Sequence, residues 1–255
     1  MSDRDKIIQL CQRVLINLEA FKTASMQYGP EFLYGSLPQC VISVVFSINA
    51  RYPTELNTVN SYCSYVGYEN KGWERHRCSE ELLPISRQES ISHMLSVLEE
   101  SLSYHSSEKF GFSAENIFKN KQRTSSQNGI LKAEAVYLFA SALKKLNIEY
   151  YQDLQLNLVS DIERTIFQNS IKLIPGHRSG ISINYFYMLS GDEWHIKPDR
   201  HIINFIKVAG VQDINDNPIE IEKMIIDACH ELRKEYPYLT PRSLDYTIWK
   251  YMSGN

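Results

Sequence analysis

The stretch that decides the fold is 171-IKLIPGHRSGISINYFYMLSGDEWHIKPDRHIINFI-206. It reads as an apolar helix, a turn at Pro175 and Gly176, a second helix, a short charged loop and a third helix opened by Asp199. Such a turn exposes backbone N–H groups at the start of the second helix, which suits a phosphate. Asp199 follows at a helix start, where the helix dipole favours a negative charge. A phosphate anchor followed by a fixed carboxylate predicts chemistry on a nucleic acid.

The overall composition is that of a soluble globular protein. The chain has 255 residues, of which 43% are hydrophobic and 22% charged, enough for a sizeable core in one large domain or two intimate ones. Its net charge of −3 gives no overall basic field. That charge counts against broad nucleic-acid binding and leaves a local basic patch as the expected contact.

Cysteine usage and hydropathy predict a cytoplasmic protein. Five cysteines are scattered without a C-x-x-C pair, which indicates reduced thiols (Cys11, Cys40, Cys63, Cys78 and Cys229). The N-terminal MSDRDKIIQL is charged rather than a signal sequence. No apolar run reaches the roughly 18–20 residues of a membrane span, so we expect no membrane association.

Helical periodicity runs through the chain and predicts an all-α fold of about ten helices. Residues 39–50 form a nearly all-round apolar run, typical of a central buried helix. Pro53, Asp199 and Pro241 mark helix starts, and Gly210 marks a stop. Two further stripes repeat at helical spacing (Ile7, Leu10, Val14, Leu18, Phe21; and Ile91, Leu95, Leu98, Leu102). Residues 67–88 and 103–128 are less regular, and the first of these carries a basic cluster (Arg75, His76, Arg77).

The hairpin and the aspartate segment together resemble the helix-hairpin-helix (HhH-GPD) DNA glycosylase superfamily. Ile174-Pro175-Gly176 matches the family's turn, Gly191 the end of its second helix, and Pro198-Asp199-Arg200-His201-Ile202 its catalytic aspartate segment. Weaker matches are Phe46-Ser47-Ile48-Asn49-Ala50 at a helix end with a base-stack wedge, and Gly129-Ile130-Leu131-Lys132-Ala133 at a helix start. Thr240-Pro241-Arg242-Ser243-Leu244-Asp245 with Trp249 is similar to a closing helix of some bacterial members.

The resemblance implies a single glycosylase-like unit over 1–255, with two helical subdomains and a DNA-binding cleft between them. Residues 30–170 would form the central helical subdomain, and 160–206 the hairpin and catalytic aspartate. Residues 1–29 and 207–255 would pack together as the second subdomain. We expect a monomer in the bacterial cytoplasm, associated with the nucleoid and acting on double-stranded DNA that contains a modified base.

Departures from the family pattern narrow the expected chemistry. Arg178 stands where the family has its second turn glycine, and Gly180 stands where lyase members carry a lysine. Schiff-base chemistry needs an amine there, so the resemblance implies a monofunctional enzyme without lyase activity. Cys229 is the only cysteine near the C-terminus, so no iron–sulfur cluster is expected. No cofactor is required, although the family's hairpin carbonyls bind a monovalent cation.

The resemblance assigns site residues in four groups. Asp199 is the catalytic residue. The phosphate contacts are Pro175, Gly176, Arg178, Ser179 and Gly180, joined by a second polar patch at Lys121, Arg123 and Thr124. The base-stack wedge is Asn49, Arg51 or Tyr52. The base pocket takes aromatic side chains from Tyr185, Tyr187, Trp194 and Trp249.

Each assignment has a structural alternative. Asp199 is also a favoured N-cap, a role compatible with catalysis. Lys121, Arg123 and Thr124 fit a plain polar loop, and Arg178 a solvated surface charge. Residues 49–52 fit an ordinary helix terminus. Aromatic residues at helical spacing usually belong to a core. Histidines 177, 195 and 201 show no zinc-like grouping, so no metal site is expected.

These observations predict a DNA N-glycosylase that flips out a modified or damaged base and hydrolyses its N-glycosidic bond, leaving an abasic site. Two biological roles remain open: base-excision repair, or defence against phage DNA with hypermodified bases. The alternative is a non-enzymatic helix-hairpin-helix module that binds DNA.

Overall fold

The computed structural model describes residues 1–17, 34–69, 83–157, 160–211 and 217–253. Leu18, Phe21, the basic cluster at residues 75–77 and Cys78 lie outside these ranges. Within them the fold is all-α, as predicted, and the one β-type pairing is an isolated bridge between Arg123 and Leu131.

The chain divides into two compact units. The central unit is Gly29–Ser190, and the terminal unit combines Met1–Tyr28 with Gly191–Asn255. The hairpin around Pro175 therefore belongs to the central unit and Asp199 to the terminal unit, whereas the sequence analysis grouped them in one segment, 160–206.

The central unit contains seven of the described α-helices. They are α2 (Leu37–Phe46), α3 (Tyr52–Val66), α4 (Ile91–Glu100), α5 (Lys132–Lys145), α6 (Tyr151–Asn157), α7 (Asp161–Lys172) and α8 (Ile181–Leu189). Short 3-10 turns occupy Ile85–Arg87 and Ser101–Ser103, and a π-helical turn occupies Ser113–Ile117.

Helix α2 is the axis of the central unit. All ten of its residues are buried, which confirms a central buried helix, and it contacts α3, α5 and α8. It ends at Phe46, so the last four residues of the predicted run, 47–50, lie in the following turn. Its start is fixed by Gln39, whose side-chain oxygen accepts the Ser36 N–H at 3.1 Å. Pro38 lies in the first turn, where a missing N–H costs nothing.

One predicted stripe ends earlier than its spacing suggested. Helix α4 stops at Glu100, and Leu102 lies in the following 3-10 turn with 41% of its surface exposed. The Ser101 hydroxyl donates to the Leu98 carbonyl at 2.6 Å, satisfying a carbonyl at the end of the helix. The tighter turn rotates Leu102 away from the line of Ile91, Leu95 and Leu98.

The terminal unit is a second, separate core. Its helices are α1 (Asp3–Asn17), α9 (Arg200–Val208), α10 (Pro218–Leu232) and α11 (Pro241–Ser253). Helix α1 packs against α10 and α11, and α9 packs against α11. Their apolar faces bury a common set of side chains (Ile7, Val14, Phe205, Ile225, Leu244 and Ile248). The starts predicted from Asp199 and Pro241 and the stop predicted from Gly210 are confirmed.

Candidate functional site

The hairpin between α7 and α8 is shaped by two glycines in the left-handed region. Gly176 has φ 90° and Gly180 has φ 83°. A Cβ on Gly176 would lie only 2.6 Å from the Cβ of Thr124, so the loop that carries Thr124 packs directly on the turn. The structure thereby brings Thr124 of the predicted second phosphate patch against the predicted hairpin.

Several backbone N–H groups of this hairpin have no acceptor. His177 N–H donates to the Ile174 carbonyl at 3.0 Å, and Gly180 N–H to the His177 carbonyl at 3.1 Å. The N–H groups of Gly176, Arg178 and Ser179 donate to no group in the described part of the chain. The Gly180 N–H is thus engaged within the turn, whereas those of Arg178 and Ser179 have no acceptor among the described residues.

His177 forms the buried floor of the hairpin. Its side chain is fully buried, and Nδ1 lies 2.8 Å from the Ser182 hydroxyl on α8. Burial lowers the pKa of His177 to about 4, and the charge of Lys132 lowers it in the same direction. The ring is therefore neutral at pH 7, and its Nε2 has no hydrogen-bond partner among the described residues.

The cations near the hairpin differ in how they are engaged. Arg178 is exposed and makes no ion pair with a described residue. Lys121 pairs with Glu115 at 2.9 Å, and Arg123 pairs with Glu108 and donates to the Gly129 carbonyl at 3.0 Å. The predicted patch thus consists of two paired cations and a buried Thr124 whose hydroxyl has no partner in the described ranges.

Lys172 is a cation near the hairpin that the sequence analysis missed. It lies in the last turn of α7, and its Cε is 3.5 Å from where a Cβ on Gly180 would stand. A charge at that point reinforces the positive end of α8. Its position follows from the return of the chain through the turn, which sequence spacing alone did not reveal.

Of the predicted wedge residues, Asn49 and Arg51 lie in the turn between α2 and α3, and Tyr52 is the first residue of α3. Asn49 is exposed with φ 51°, and Arg51 is exposed, but the Tyr52 hydroxyl is buried. This leaves Asn49 and Arg51 as the outward-facing members. The turn is held by the buried Lys132, whose Nζ donates to the carbonyls of Phe46 at 3.1 Å and Ile48 at 2.6 Å.

Two of the four predicted pocket aromatics are core residues of the central unit. The Tyr185 hydroxyl donates to Glu55 Oε1 at 3.0 Å, and Tyr187 packs with its ring centroid 6.2 Å from that of Phe167. Glu55 is itself buried and also accepts the hydroxyl of Ser43. The sequence analysis missed Glu55 because an acidic residue in the first turn of a helix ordinarily faces solvent.

The other two predicted pocket aromatics lie in the terminal unit. Trp194 is 45% exposed, with its ring 5.3 Å from that of His230 and the same distance from the Arg233 guanidinium. Trp249 stacks on Tyr246 at 6.0 Å. An exposed indole beside a guanidinium can stack on a nucleobase. Trp194 is therefore the most accessible of the four.

Asp199 is the N-cap of α9. Its Oδ1 accepts the His201 N–H at 2.8 Å, and the side chain is half-buried. No other hydrogen bond joins this carboxylate to a described residue. A carboxylate with one oxygen fixed and some surface exposed is oriented yet accessible.

Asp245 on α11 is an acidic neighbour of Asp199, and the sequence placed it only in the segment that resembles a closing helix, without a role in the site. Its Oδ1 accepts the Lys197 N–H at 3.2 Å, two residues before Asp199. Burial raises the pKa of Asp245 well above its usual range, and the negative charge of Asp199 raises it further. The Lys197 N–H and the charges of Lys197 and Arg242 oppose this shift.

The described residues contain no group of three or more histidine, cysteine or acidic side chains arranged to hold a metal ion. The four cysteines within the described ranges are free thiols (Cys11, Cys40, Cys63 and Cys229). Nor does any described helix combine the length and apolar character needed to cross a bilayer.

The fold and site define an all-α protein with a tight, glycine-containing turn between α7 and α8 in one unit and Asp199 capping α9 near Asp245 in the other. Residues 5–253 match the model of a domain of unknown function, DUF8548, and the chain belongs to that family. No curated protein and no solved structure matches the chain.

Proposed function

We propose that the protein is a monofunctional DNA N-glycosylase that excises a modified or damaged base. The observation that carries this proposal is the half-buried Asp199, held by the His201 N–H at the start of α9. The free N–H groups of Arg178 and Ser179 in a glycine-shaped hairpin support a phosphate contact. In the helix-hairpin-helix glycosylases that the sequence resembles, a hairpin and an aspartate of this kind both serve base excision.

In the proposed reaction the bond between C1′ and the base nitrogen breaks, and its electron pair leaves with the base. The oxygen of a water molecule then bonds to C1′, and the proton that it releases ends on the departed base. Positive charge develops on the sugar in between, and the Asp199 carboxylate stabilises that charge and orients the water. Asn49 or Arg51 fills the space that the flipped nucleotide leaves in the stack.

The absence of a side chain at Gly180 favours attack by water over attack by an amine. Lys172 lies beside that position, with its Cε 3.5 Å from a Cβ placed on Gly180. We assign Lys172 to phosphate binding. Borohydride trapping tests this assignment, because an amine nucleophile would leave a covalent protein–DNA adduct that disappears in Lys172→Ala.

The proposal is tested with oligonucleotide duplexes carrying alkylated, deaminated or glucosylated hydroxymethyl bases, and with modified phage genomes. Wild-type protein should produce alkali-labile abasic sites on at least one of these substrates. Activity on alkylated or deaminated bases would indicate repair, and activity on hypermodified phage bases would indicate defence. Borohydride should trap no adduct.

Asp199→Asn should lower the single-turnover rate by about 100-fold or more while leaving DNA affinity intact. The matched control is Asp192→Asn, since Asp192 is exposed in the same loop and also accepts a backbone N–H, that of Trp194 at 2.8 Å. Salt-sensitive DNA binding without abasic product from any substrate would replace the glycosylase with a non-enzymatic binding module. An unchanged rate in Asp199→Asn would refute the catalytic assignment.

A further inference from the structure

The loop that leads to Asp199 is held at two points by the first turns of α11. The Arg242 N–H donates to the Glu193 carbonyl at 3.2 Å, and Asp245 Oδ1 accepts the Lys197 N–H at 3.2 Å. Both holding residues are buried. The loop is therefore bound to a helix through backbone groups on either side of its middle.

The helix that holds the loop has a well-defined start. Thr240 N–H donates to the Ser243 hydroxyl at 2.8 Å, and Ser243 N–H donates to Thr240 Oγ1 at 3.2 Å. This reciprocal capping fixes the first turn of α11. Asp245 lies close to this capped end of α11, so the cap helps to fix the position of its backbone.

The backbone of Lys197 connects Asp245 to Asp199 through two hydrogen bonds. The Asp199 N–H donates to the Lys197 carbonyl at 2.6 Å, which closes a tight turn over these residues. The Lys197 N–H and carbonyl are thus both engaged, one by Asp245 and the other by Asp199. The Asp245 carboxyl therefore holds the first residue of the turn from which the Asp199 side chain projects.

A carboxyl group is an unfavourable acceptor for the Lys197 N–H, because burying its negative charge costs free energy. An asparagine at 245 could accept the same N–H without the risk of a buried negative charge. The charge would also lie near a second carboxylate, that of Asp199, with the cations Lys197 and Arg242 only partly offsetting it. Because Asp245 Oδ1 is bound to the Lys197 N–H, and the Lys197 carbonyl to the Asp199 N–H, a charge on Asp245 would act on the Asp199 carboxylate at short range.

We propose that Asp245 is a positioning residue for Asp199, fixing the turn from Lys197 to Asp199 and tuning, as the second acid of the pair, the electrostatic field around the Asp199 carboxylate. The catalytic half of this inference rests on the proposed glycosylase activity, and the positioning half does not. The two halves call for separate measurements.

Positioning is measured by hydrogen exchange of a peptide spanning residues 193–203 in the intact protein. Asp245→Ala should speed exchange at the Lys197, Asp199 and His201 amides by about tenfold or more, because Lys197 loses its acceptor and the turn that holds the other two loses its support. Asp245→Asn should keep the wild-type exchange, since its side-chain oxygen accepts the same N–H. The control is Glu89→Gln, which alters a buried carboxyl of the central unit and should leave this peptide unchanged.

The electrostatic half is measured by single-turnover base excision between pH 5 and 9. Asp245→Ala should lose at least about tenfold in rate, with the DNA dissociation constant within about twofold of wild type. Asp245→Asn mimics the protonated acid, so its rate should match wild type at low pH and diverge as the pH rises. A purely structural residue would give Asp245→Asn the wild-type profile throughout.

Unchanged hydrogen exchange in Asp245→Ala refutes the positioning role, and a wild-type pH profile in Asp245→Asn refutes the electrostatic role. If wild-type protein excises no base from any substrate, the glycosylase proposal fails. The exchange measurement still decides in that case whether Asp245 holds the Asp199 segment.

Discussion

The hairpin of the central unit and the Asp199 region of the terminal unit each contain a buried ionisable side chain, and burial moves the two pKa values in opposite directions. Burial lowers the pKa of His177 to about 4 and raises that of Asp245 well above its usual range. Both shifts favour the neutral form. The hairpin should therefore lose stability in acid, whereas the terminal unit should lose stability as the pH rises.

The surroundings of the two groups also differ. His177 contacts the Ser182 hydroxyl and the ring of Phe139, and these two neighbours pack the turn and carry no charge. Asp245 lies near the carboxylate of Asp199 and a half-buried loop. Its surroundings therefore include a second negative charge, which the packing of α11 does not require. We infer that the hairpin works through backbone shape and the acidic site through charge. The predictions below test that contrast.

The largest expected effect concerns the shape of the hairpin. Gly176→Ala should destabilise the protein by about 3 kcal/mol or more, because a positive φ is strained for alanine and the new Cβ meets Thr124. Gly67→Ala is the matched control, since Gly67 has φ 70° but nothing within 4 Å of the added Cβ. It should cost about 1 kcal/mol. Urea unfolding of both variants checks this, and equal losses would mean that the Thr124 contact contributes nothing.

The next effect is the acid sensitivity of the hairpin. The unfolded state protonates His177 near pH 6.5 and the folded state only near pH 4, so stability is fully present above 6.5 and is lost as the pH falls between these values. The loss should amount to about 3 kcal/mol. His177→Asn should flatten this part of the profile, as measured by urea unfolding from pH 7.5 to 4. His105→Asn, at an exposed histidine of the same unit, is the control.

A smaller effect of opposite sign is expected at Asp245. The unfolded state releases the Asp245 proton near pH 3.9 and the folded state only at higher pH, so wild-type stability decreases as the pH rises above about 4. Asp245→Asn should therefore be more stable than wild type at neutral pH, by about 1–2 kcal/mol. Thermal unfolding at pH 4 and pH 7 measures the gap. A gap that narrows with rising pH would contradict the assigned direction.

The smallest effect concerns the cations at the hairpin. Arg178→Ala should weaken DNA binding by about 1 kcal/mol and reduce the salt slope by about one, regardless of sequence. Arg123→Ala should do less, because Arg123 is already paired with Glu108. Binding titrations at several salt concentrations compare the two variants. An equal effect of both would indicate that the ion pair with Glu108 opens on DNA binding.

Local signals were enough to predict much of this fold. Asp199 and Pro241 mark helix starts because capping and proline preferences act within one turn. The apolar run at residues 39–50 predicts a buried helix because no polar face remains for solvent. Leu102 shows the limit of periodicity, since the chain changes from α-helix to a 3-10 turn at Ser101, before the stripe ends.

The candidate site was less predictable because its parts depend on long-range contacts. Asp199 and the hairpin were singled out from spacing, yet Asp245 lies 46 residues beyond Asp199, in a segment that resembles a closing helix but suggested no role in the site. Tyr185 was expected in a pocket, but its hydroxyl donates to a buried Glu55. Lys132 belonged to a motif, although nothing in the motif indicated that its ammonium holds the turn that carries Asn49.

The sequence by itself determined the helical class of the protein, the glycine-shaped turn at Pro175 and the cap at Asp199, because each depends on residues within one or two helical turns. Only the tertiary structure decided that Thr124 packs on Gly176, that His177 is buried and that Asp245 lies beside Asp199. Those outcomes depend on which apolar faces pack together. The packing determines how deeply His177 and Asp245 are buried, and burial shifts their pKa values.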